Sequence, residues 1–439
     1  MEAVPLETNN IIKRNWILIW VLGMAGQICW NVENSWFNTF VYAKIAPSPS
    51  IVSWMVGVSA AVTTFATFFV GTLSDRKGKR KPFIAVGYIL WGMFTIAFGA
   101  AEFFPKNPVI LAAIFVVAAD AVMSFFGSVG NDSGFSTWTT DISNEHNRGR
   151  LGGALAAMPV LATIFGSVVS GIIIDKVDFF PFFIIMGGTV MLVGIFTIFT
   201  LKDSPALKPK KDEKGFWHQF LSVFNIRTVK ENKELFWVFM VMLVYFIGFD
   251  VYFPYITIYF ANYLKLDYTM TGLIQGAGLL GAVLLTIPTA RFIDKGKSPA
   301  VILFALVANF IGLFVITLSS KIPVLLIGVL GSGIGYVLIF QTVIAWIKNL
   351  YPEDQRGQFE GVKQIFFVCL PMIIGPLIAT FVINNFGVRG VIDGTSGMIP
   401  TESLFLFSAA LTSLTVLPLI PAYKLNKTRI QSIRKGVEV

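Results

Sequence analysis

Twelve long apolar runs constrain this chain more than any other feature of its sequence. A helix needs about 20 apolar residues to cross the hydrocarbon core of a bilayer, and runs of that length recur along the 439 residues. Only 13% of the residues are charged, against roughly 25% in soluble domains. A β-barrel would show short alternating strands, and the first run is too long and too polar at its flanks to be a cleaved signal peptide. The sequence therefore predicts an all-α integral membrane protein with spans at about 15–43, 51–73, 83–104, 107–137, 151–174, 180–201, 235–262, 268–292, 299–318, 323–349, 358–384 and 402–423.

The distribution of positive charge orients these spans. If the N-terminus is cytoplasmic, only six of the 34 Lys and Arg residues fall in outer loops. They are Lys44, Lys106, Lys176, Lys265, Lys321 and Arg389. This asymmetry is what the positive-inside rule requires. We therefore expect a multi-pass protein of the plasma membrane with both termini cytoplasmic, and we interpret the net charge of +9 as an orientation signal and not as a sign of nucleic-acid binding.

The chain divides into two halves that repeat each other. The segment "GTLSDRKGKRKP" (71–82) follows the second span, and "ARFIDKGKSPA" (290–300) follows the eighth; "NRGRLGGA" (147–154) and "QRGQFEGV" (355–362) likewise precede the fifth and the eleventh. Such internal repeats are typical of secondary transporters, which hold their solute between the halves. We expect an N-terminal six-helix bundle at 1–201, a cytoplasmic linker at 202–234 that turns amphipathic near 216–224, and a C-terminal bundle with a cytoplasmic tail at 235–439.

The first repeated segment resembles a known family signature. "GTLSDRKGKRKP" is similar to the loop 2–3 signature of the major facilitator superfamily, and the resemblance extends over the twelve spans and the long central loop. Within that superfamily, "GTLSDRKGKRKPFI" and "TDISNEHNRGRLGG" resemble the glycoside–pentoside–hexuronide:cation symporters and their sucrose-transporter-like relatives. The resemblance implies the major facilitator fold, with two pseudo-symmetric six-helix bundles that work by alternating access.

The resemblance also implies that the signature loop gates the carrier. Asp75 is expected to pair with Arg76 or Arg80, or to face the positive N-terminus of a neighbouring helix near the start of the eleventh span. The alternative is that the basic residues only fix the topology. The predicted gating residues are Gly71, Asp75, Arg76, Gly78, Arg80, Asp294, Arg148 and Arg356.

Polar side chains form a stripe along the first span. Gln27, Asn31, Asn34 and Asn38 recur at intervals that place them on one helix face, beside Trp30. The fourth span repeats the pattern with Asp120, Ser124, Gly127, Asn131 and Trp138. A polar stripe facing lipid is costly, so both stripes should face a wet path or protein. The resembled fold places the first, fourth, seventh and tenth spans around a central cavity; hydrogen bonding between helices is the alternative explanation.

Amides and hydroxyls beside aromatic rings suit a sugar, because its hydroxyls form hydrogen bonds and its C–H faces contact rings. Tyr245, Tyr252 and Tyr259 recur every seven residues of the seventh span, which core packing explains equally well, and Pro254 is expected to break or kink that helix. The predicted solute-binding residues are Gln27, Trp30, Asn31, Asn34, Asn38, Ser124, Asn131, Tyr252 and Gln341.

Three intramembrane acids are the predicted coupling residues, namely Glu33, Asp120 and Asp250. None has an obvious Lys or Arg partner within the membrane, and a buried carboxylic acid can hold a proton near neutral pH. A fourth acid, Asp132, lies nearer the cytoplasmic end of the fourth span. Instead of a role in coupling, it could simply be solvated or bonded to neighbouring backbone. Melibiose permease-like members of the resembled group carry acids in helix 2, and the second span here has none. Their sodium site therefore does not carry over, and the proton is the favoured coupling ion, with sodium as the alternative.

The sequence therefore predicts a secondary transporter that moves a small polar solute, a sugar or glycoside, by proton-coupled symport across the plasma membrane. The main alternative is an exporter of drugs or lipids by proton antiport. We find no nucleotide-binding motif, nucleophile–base pair or metal-ligand cluster in the sequence, and so expect no enzymatic activity, cofactor or metal. The expected partners are the solute, the coupling ion and the lipid bilayer, with the protein acting as a monomer.

Overall fold

The fold is seen in a computed structural model of the chain. The structure describes residues 11–105, 107–144, 147–204, 207, 209, 226–294, 296–351, 359 and 362–434. The segment predicted to be amphipathic, near 216–224, lies outside these residues.

Twelve helices in the described residues are long and apolar enough to cross a membrane, as the sequence predicts. They are α1 Lys13–Ile45, α2 Pro49–Lys77, α3 Lys81–Phe103, α4 Val109–Asp141, α5 Arg150–Val177, α6 Phe179–Thr200, α7 Lys233–Tyr263, α8 Tyr268–Ile293, α9 Ser298–Ile316, α10 Ile322–Leu350, α11 Val362–Phe386 and α12 Ser403–Gln431. A short helix, Ile226–Glu231, precedes α7. The predicted limits agree within four residues except at the end of α12, which continues past 423 because its last two turns are polar and lie beyond the apolar run.

Two pairs of helices form the most extensive contacts between the halves in the described residues. Helix α2 packs against α11, and α5 packs against α8. Helices α2 and α8 are the second helices of their halves, and α5 and α11 are the fifth. Each contact therefore joins the second helix of one half to the fifth helix of the other, and the two contacts are equivalent. This is the pairing that a pseudo-two-fold relation between the halves requires.

Glycine makes the α5–α8 contact unusually close. A Cβ atom added to Gly272 would lie 2.2 Å from the backbone oxygen of Ser167, and one added to Gly171 would lie 2.3 Å from the backbone oxygen of Tyr268. No side chain fits between the two backbones at these points. Small residues at such positions let helix backbones approach closely in membranes, where van der Waals contact drives association.

The halves also meet at the end that carries the α1–α2 and α7–α8 loops, which we call the outer end after the charge distribution. Asp175 in α5 accepts hydrogen bonds from the backbone N–H groups of Tyr268 (3.2 Å) and Thr269 (2.6 Å) at the start of α8. The hydroxyl of Tyr255 in α7 donates to the backbone oxygen of Pro49 at 2.9 Å. These hydrogen bonds link the two halves at the outer end.

A β-hairpin lies between α11 and α12, and the sequence analysis missed it. Its strands, β1 Val388–Ile392 and β2 Thr395–Ile399, are antiparallel. The signal was available, because Asp393-Gly394 takes left-handed φ values of 46° and 78°, as a two-residue hairpin turn requires. The N–H of Met398 donates to the backbone oxygen of Pro47 at 3.0 Å, so the hairpin adds another link between the halves at the outer end.

The close α5–α8 contact yields a test of the fold. We expect Gly272→Val to lower the free energy of unfolding by about 1–3 kcal/mol, because the new side chain forces two packed backbones apart. Gly188→Val in α6 is the matched control, since a Cβ atom there meets nothing within 4 Å. Thermal unfolding in detergent measures both. Equal melting temperatures for the wild type and Gly272→Val would contradict the close approach.

Candidate functional site

Two of the three predicted coupling acids come together between α1, α2 and α4. The carboxylate oxygen Oε1 of Glu33 accepts hydrogen bonds from Ser124 Oγ (2.7 Å) in α4 and from Ser59 Oγ (3.0 Å) in α2. The two serine hydroxyls lie 2.8 Å apart, and Ser59 is also within hydrogen-bonding reach of Asp120 in α4. Glu33, Asp120, Ser59 and Ser124 therefore form one cluster, which we call the acid pair site.

The acid pair site is sealed from solvent. Asp120 is only 1% exposed and Ser124 is not exposed at all. The remaining oxygens, Glu33 Oε2 and Asp120 Oδ1, find no hydrogen-bond partner among the described residues. Removing two neighbouring carboxylates from water is costly unless a proton or another cation compensates their charge. Chemically, the arrangement can hold such a cation between two acids and two hydroxyls.

The amides of the α1 stripe are partly engaged within their own helix. Asn34 Nδ2 donates to the backbone oxygen of Trp30 at 2.7 Å, and Asn38 Nδ2 donates to that of Asn34 at 2.9 Å. Asn38 is fully buried, whereas Gln27, Trp30 and Asn34 are partly exposed. The Oδ1 atoms of Asn31 and Asn38 have no partner among the described residues. The amide groups of the stripe therefore present more free acceptor oxygens than free N–H donors to a ligand.

Asp132 in α4 forms a second polar group with α1. Its Oδ1 accepts from Trp30 Nε1 and from Asn131 Nδ2, both at 3.2 Å, and its Oδ2 accepts from Ser128 Oγ at 3.1 Å. The Tyr88 hydroxyl in α3 lies 3.1 Å from the Oδ1 of Asn131. The sequence analysis did not include Asp132 in the site, because bonds donated from another helix cannot be read from spacing along one helix.

Turns of π-helix occur where the polar residues gather. Two of the five in the described residues cover Glu33–Phe37 in α1 and Ser128–Phe135 in α4, and the other three cover Val41–Ile45, Tyr259–Tyr263 and Ile365–Cys369. A π-turn inserts an extra residue per turn and rotates the side chains that follow it, and such turns are frequent at functional sites. In α7, the expected break at Pro254 is present as a 3-10 turn over Phe253–Tyr255.

The C-terminal half contributes fewer of the predicted residues. Asp250 in α7 is buried against α11, where a Cβ on Gly375 would lie 2.7 Å from the Asp250 Cβ. Tyr252 hydrogen-bonds with Ser332 of α10 and is 4% exposed, and Gln341 is exposed. In this structure, Asp250 therefore lies apart from the acid pair of the N-terminal half.

The other two tyrosines of the α7 heptad pack within their own half. Tyr245 donates to Asn309 Oδ1 in α9 at 3.3 Å. Tyr259 packs its ring against Phe405 of α12, with a centroid distance of 4.8 Å. These contacts are those of a helix core, which was one of the two explanations for the heptad.

The signature loop is organised around Arg80. Its Nη2 pairs with Asp75 Oδ1 at 2.5 Å, and its Nε donates to Asp141 Oδ2 in α4 at 2.9 Å. Burial alone would lower the pKa of Arg80, but the hydrogen bonds to Asp141 and Asp75 outweigh it and raise the pKa above its usual value, which keeps the guanidinium charged. Asp203, after α6, accepts from the backbone N–H of Arg80 at 3.0 Å. The loop therefore ties α2, α3, α4 and the end of α6 together.

The remaining gating predictions are only partly covered by the described residues. Gly78 ends α2 with a left-handed φ of 60°, a conformation that glycine adopts without strain. Gly71 is partly exposed near Ser133, and Arg76 is exposed. The side chains of Arg148 and Asp294 and the whole of Arg356 lie outside the described residues.

The chain belongs to the Major Facilitator Superfamily. Residues 16–259 and 238–436 match the model of that family, which covers nearly the whole chain. The fold and the family together define a multi-pass membrane transporter that carries small molecules, and not an enzyme. The narrower resemblance to sugar–cation symporters stays a prediction.

Curated relatives and solved structures agree with this class. The chain is 24% identical to a multi-drug resistance efflux pump PmrA homolog of Lactococcus lactis subsp. lactis, over 77% of this chain and 79% of that one. It is 24% identical to the quinolone resistance protein NorA of Staphylococcus aureus, over 77% and 82%. The structure resembles the nucleoside transporter NupG with a TM-score of 0.69 and 10% identity, over 94% of this chain and 100% of that one. It also resembles a bacterial homolog of the human lysosomal transporter Spinster in an inward-facing, occupied conformation, with a TM-score of 0.66 and 12% identity, over 95% and 98%; at these identities both structures show the fold alone.

Two serines of α4 test the acid pair site. We expect Ser124→Ala to lower the free energy of unfolding by about 1–3 kcal/mol, because it removes a donor from the buried Glu33 carboxylate. Ser133→Ala is the matched control, since the buried Ser133 hydroxyl has no partner among the described residues and its loss should be neutral or stabilising. Thermal unfolding of both variants in detergent measures the difference. If Ser133→Ala proved as destabilising as Ser124→Ala, the hydrogen bond to Glu33 would not be the cause.

Proposed function

We propose that this protein is a proton-coupled secondary transporter that carries a small polar solute across the plasma membrane by alternating access. The observation that carries the proposal is the acid pair site. Glu33 and Asp120 are neighbouring buried carboxylates bridged by Ser59, and Ser124 donates a second hydrogen bond to Glu33. A cation that binds there in one conformation and leaves in another couples its gradient to solute movement.

The proton is the favoured coupling ion. Lys and Arg residues of the described spans α1 to α11 lie within three residues of a helix end, so none of them stands at the depth of Glu33. A proton can neutralise one member of a carboxylate pair without any further ligand. Sodium is the alternative, because two carboxylates and two hydroxyls also supply the oxygen ligands that a hard cation takes. Asp250 is a third coupling candidate, in the other half.

The contacts between the halves support alternating access. In the described residues, the hydrogen bonds of Asp175, Tyr255 and Met398 that cross between the halves lie at the outer end. At the other end Gln341 is exposed, and among the described residues Arg80 pairs with Asp75 and Asp141 of its own half. We infer an inward-facing state with cytoplasmic termini. In the outward-facing state, the signature loop would meet the start of α11, with Asp75 and Arg80 as the main gating residues.

A sugar or glycoside is the first solute candidate. Partly exposed Gln27, Trp30 and Asn34 on α1 and the exposed Gln341 on α10 combine amide groups with an aromatic ring. Those are the groups that hydrogen-bond sugar hydroxyls and stack on sugar C–H faces. The buried stripe residues Asn31, Asn38, Ser124 and Asn131 would join such a site only after the helices move.

Export of drugs or lipids by proton antiport is the second candidate. The names of the curated relatives favour it, since they are a multi-drug efflux pump homolog and a quinolone resistance protein. The consumed amide donors of Asn34 and Asn38 also favour it, because fewer donors remain for a polyol. A sugar panel run against cationic dyes in proteoliposomes distinguishes the two candidates.

Asp120→Asn tests proton coupling. We expect this variant to keep solute binding and solute exchange at equilibrium, and to lose the accumulation that a pH gradient drives, because the asparagine side chain cannot release a proton. Glu402→Gln, at the outer start of α12 and away from the acid pair site, is the control and should accumulate solute as the wild type does. The assay is transport into proteoliposomes with and without a pH gradient. Accumulation by Asp120→Asn at the wild-type level would remove Asp120 as the coupling site.

A further inference from the structure

Asp132 is a carboxylate that the proposed proton site does not use. It lies in α4, twelve residues beyond Asp120, and its side chain is partly exposed while that of the adjacent Asn131 is buried. Donors from two helices, Trp30 of α1 with Asn131 and Ser128 of α4, hold both of its oxygens. These neutral groups solvate the carboxylate in place of water and fix its direction.

The donors around Asp132 are already in use. Trp30 Nε1, Asn131 Nδ2 and Ser128 Oγ all point at the carboxylate, and the Asn131 Oδ1 faces the Tyr88 hydroxyl. An incoming ligand therefore meets acceptor lone pairs, chiefly on Oδ2, which receives one bond against two on Oδ1. A hydroxyl group both donates and accepts, whereas an ammonium group only donates. The free lone pairs of Asp132 therefore suit a ligand group that only donates hydrogen bonds.

An aromatic wall stands beside the carboxylate. The rings of Trp30 and Trp91 lie 4.9 Å apart at 46°. Gly127 makes room for them, because a Cβ atom there would lie 2.8 Å from the Trp91 ring and 3.1 Å from the Trp30 ring. Trp30 remains partly exposed, and the face of an indole ring attracts cations. Carboxylate and indole thus favour the same kind of ligand.

The distribution of charge in the membrane-spanning helices also favours a positively charged ligand. Glu33, Asp120, Asp132 and Asp250 lie within the membrane-spanning helices. The Lys and Arg residues of described spans α1 to α11 lie within three residues of a helix end, and those of α12 lie in its last eight residues. A charged group in a low-dielectric region requires a partner of opposite charge. An ammonium-bearing solute would supply that partner for Asp132.

We propose that Asp132 is the solute-binding carboxylate of this carrier, and that the solute carries a protonated primary or secondary amine. This inference rests on the proposed carrier function and narrows it. Among sugars and glycosides it selects amino sugars, and among drugs and lipids it selects drugs that carry an amine. The ammonium group binds Asp132 Oδ2 and lies against the face of Trp30.

Matched pairs of probes test the solute class. Binding is measured by calorimetry on the full-length protein in detergent, at a pH where the amines are protonated. The pairs are 2-phenylethylammonium with 2-phenylethanol, and glucosamine with glucose. We expect the ammonium member of at least one pair to bind about tenfold more tightly or better, as a charged hydrogen bond implies. Equal affinities within both pairs would overturn the proposal.

Variants of Asp132 locate the preference. Asp132→Asn should reduce the affinity ratio within the responding pair to about one, because the amide has lost its charge. Asp132→Glu keeps the charge and should keep a preference for the ammonium member. Glu402→Gln is the control for removal of an acid elsewhere and should leave the ratio unchanged. A preference that survives in Asp132→Asn would overturn the assignment.

Variants of Trp30 keep the proposal testable if Asp132→Asn does not fold. Trp30→Phe retains an aromatic face and loses the N–H donor, so the preference for the ammonium member should remain. Trp30→Leu removes the face and should weaken binding of the ammonium member by about two- to fivefold, with little change for the hydroxyl member. A purely structural role would affect both members equally, and that result would contradict the proposal.

The probe experiment separates this proposal from the carrier function. Calorimetry needs no membrane and no gradient, so a protein that fails to accumulate solute can still prefer ammonium probes. In that case the solute assignment stands and the proton-coupled function fails. Conversely, pH-driven accumulation of a neutral sugar, without ammonium preference, would leave the carrier function intact and overturn the assignment of Asp132.

Discussion

A carboxylate that is held away from water requires hydrogen-bond donors or a counter-charge, and the N-terminal half is organised around that requirement. Glu33 projects from α1 and finds its donors on α2 and α4, through Ser59 and Ser124. Each of these hydroxyls also contacts the other, so three helices meet at one polar point. The apolar remainder of the spans can face lipid because this polar point is enclosed by protein.

Helix α2 connects the acid pair site to the contact between the halves. Ser59 bonds to Glu33, and two residues earlier Gly57 lies against the backbone of Ile373 in α11, where an added Cβ would be 3.8 Å away. A change in the charge or hydrogen bonding of the acid pair therefore acts on a helix that also forms the interface with the other half. Under the proposed function, this is a physical route by which an ion bound in the N-terminal half would influence the contact between the halves. Coupling of this kind requires an element with two arrangements that both sites influence.

Local features of the sequence were enough to predict the spans. Each span depends on the length of an apolar run, and Pro254 and Gly78 act through their own backbone dihedral angles. The acid pair site was predictable only in part. The intramembrane acids Glu33 and Asp120 stand out in the sequence, but their common partner Ser59 lies in the predicted second span, 51–73, which carries no acid. The direction of Asn34 and Asn38 was not predictable either, because a stripe on a helical wheel does not reveal that amides bond to the preceding turn.

The two acids of α4 have different surroundings, and the different roles proposed for them rest on that difference. Asp120 is 1% exposed, beside a second carboxylate and a hydroxyl, and one of its oxygens has no partner among the described residues. Asp132 is partly exposed and accepts hydrogen bonds from three neutral donors, Trp30, Ser128 and Asn131. An acid with an acid for a neighbour is suited to sharing a proton, since one charge disfavours the other. An acid with donors on both oxygens is suited to staying in place and receiving a cation from outside. A coupled carrier needs both functions, one for the ion and one for the solute, and under the two proposals made above α4 supplies them at two depths of the same helix.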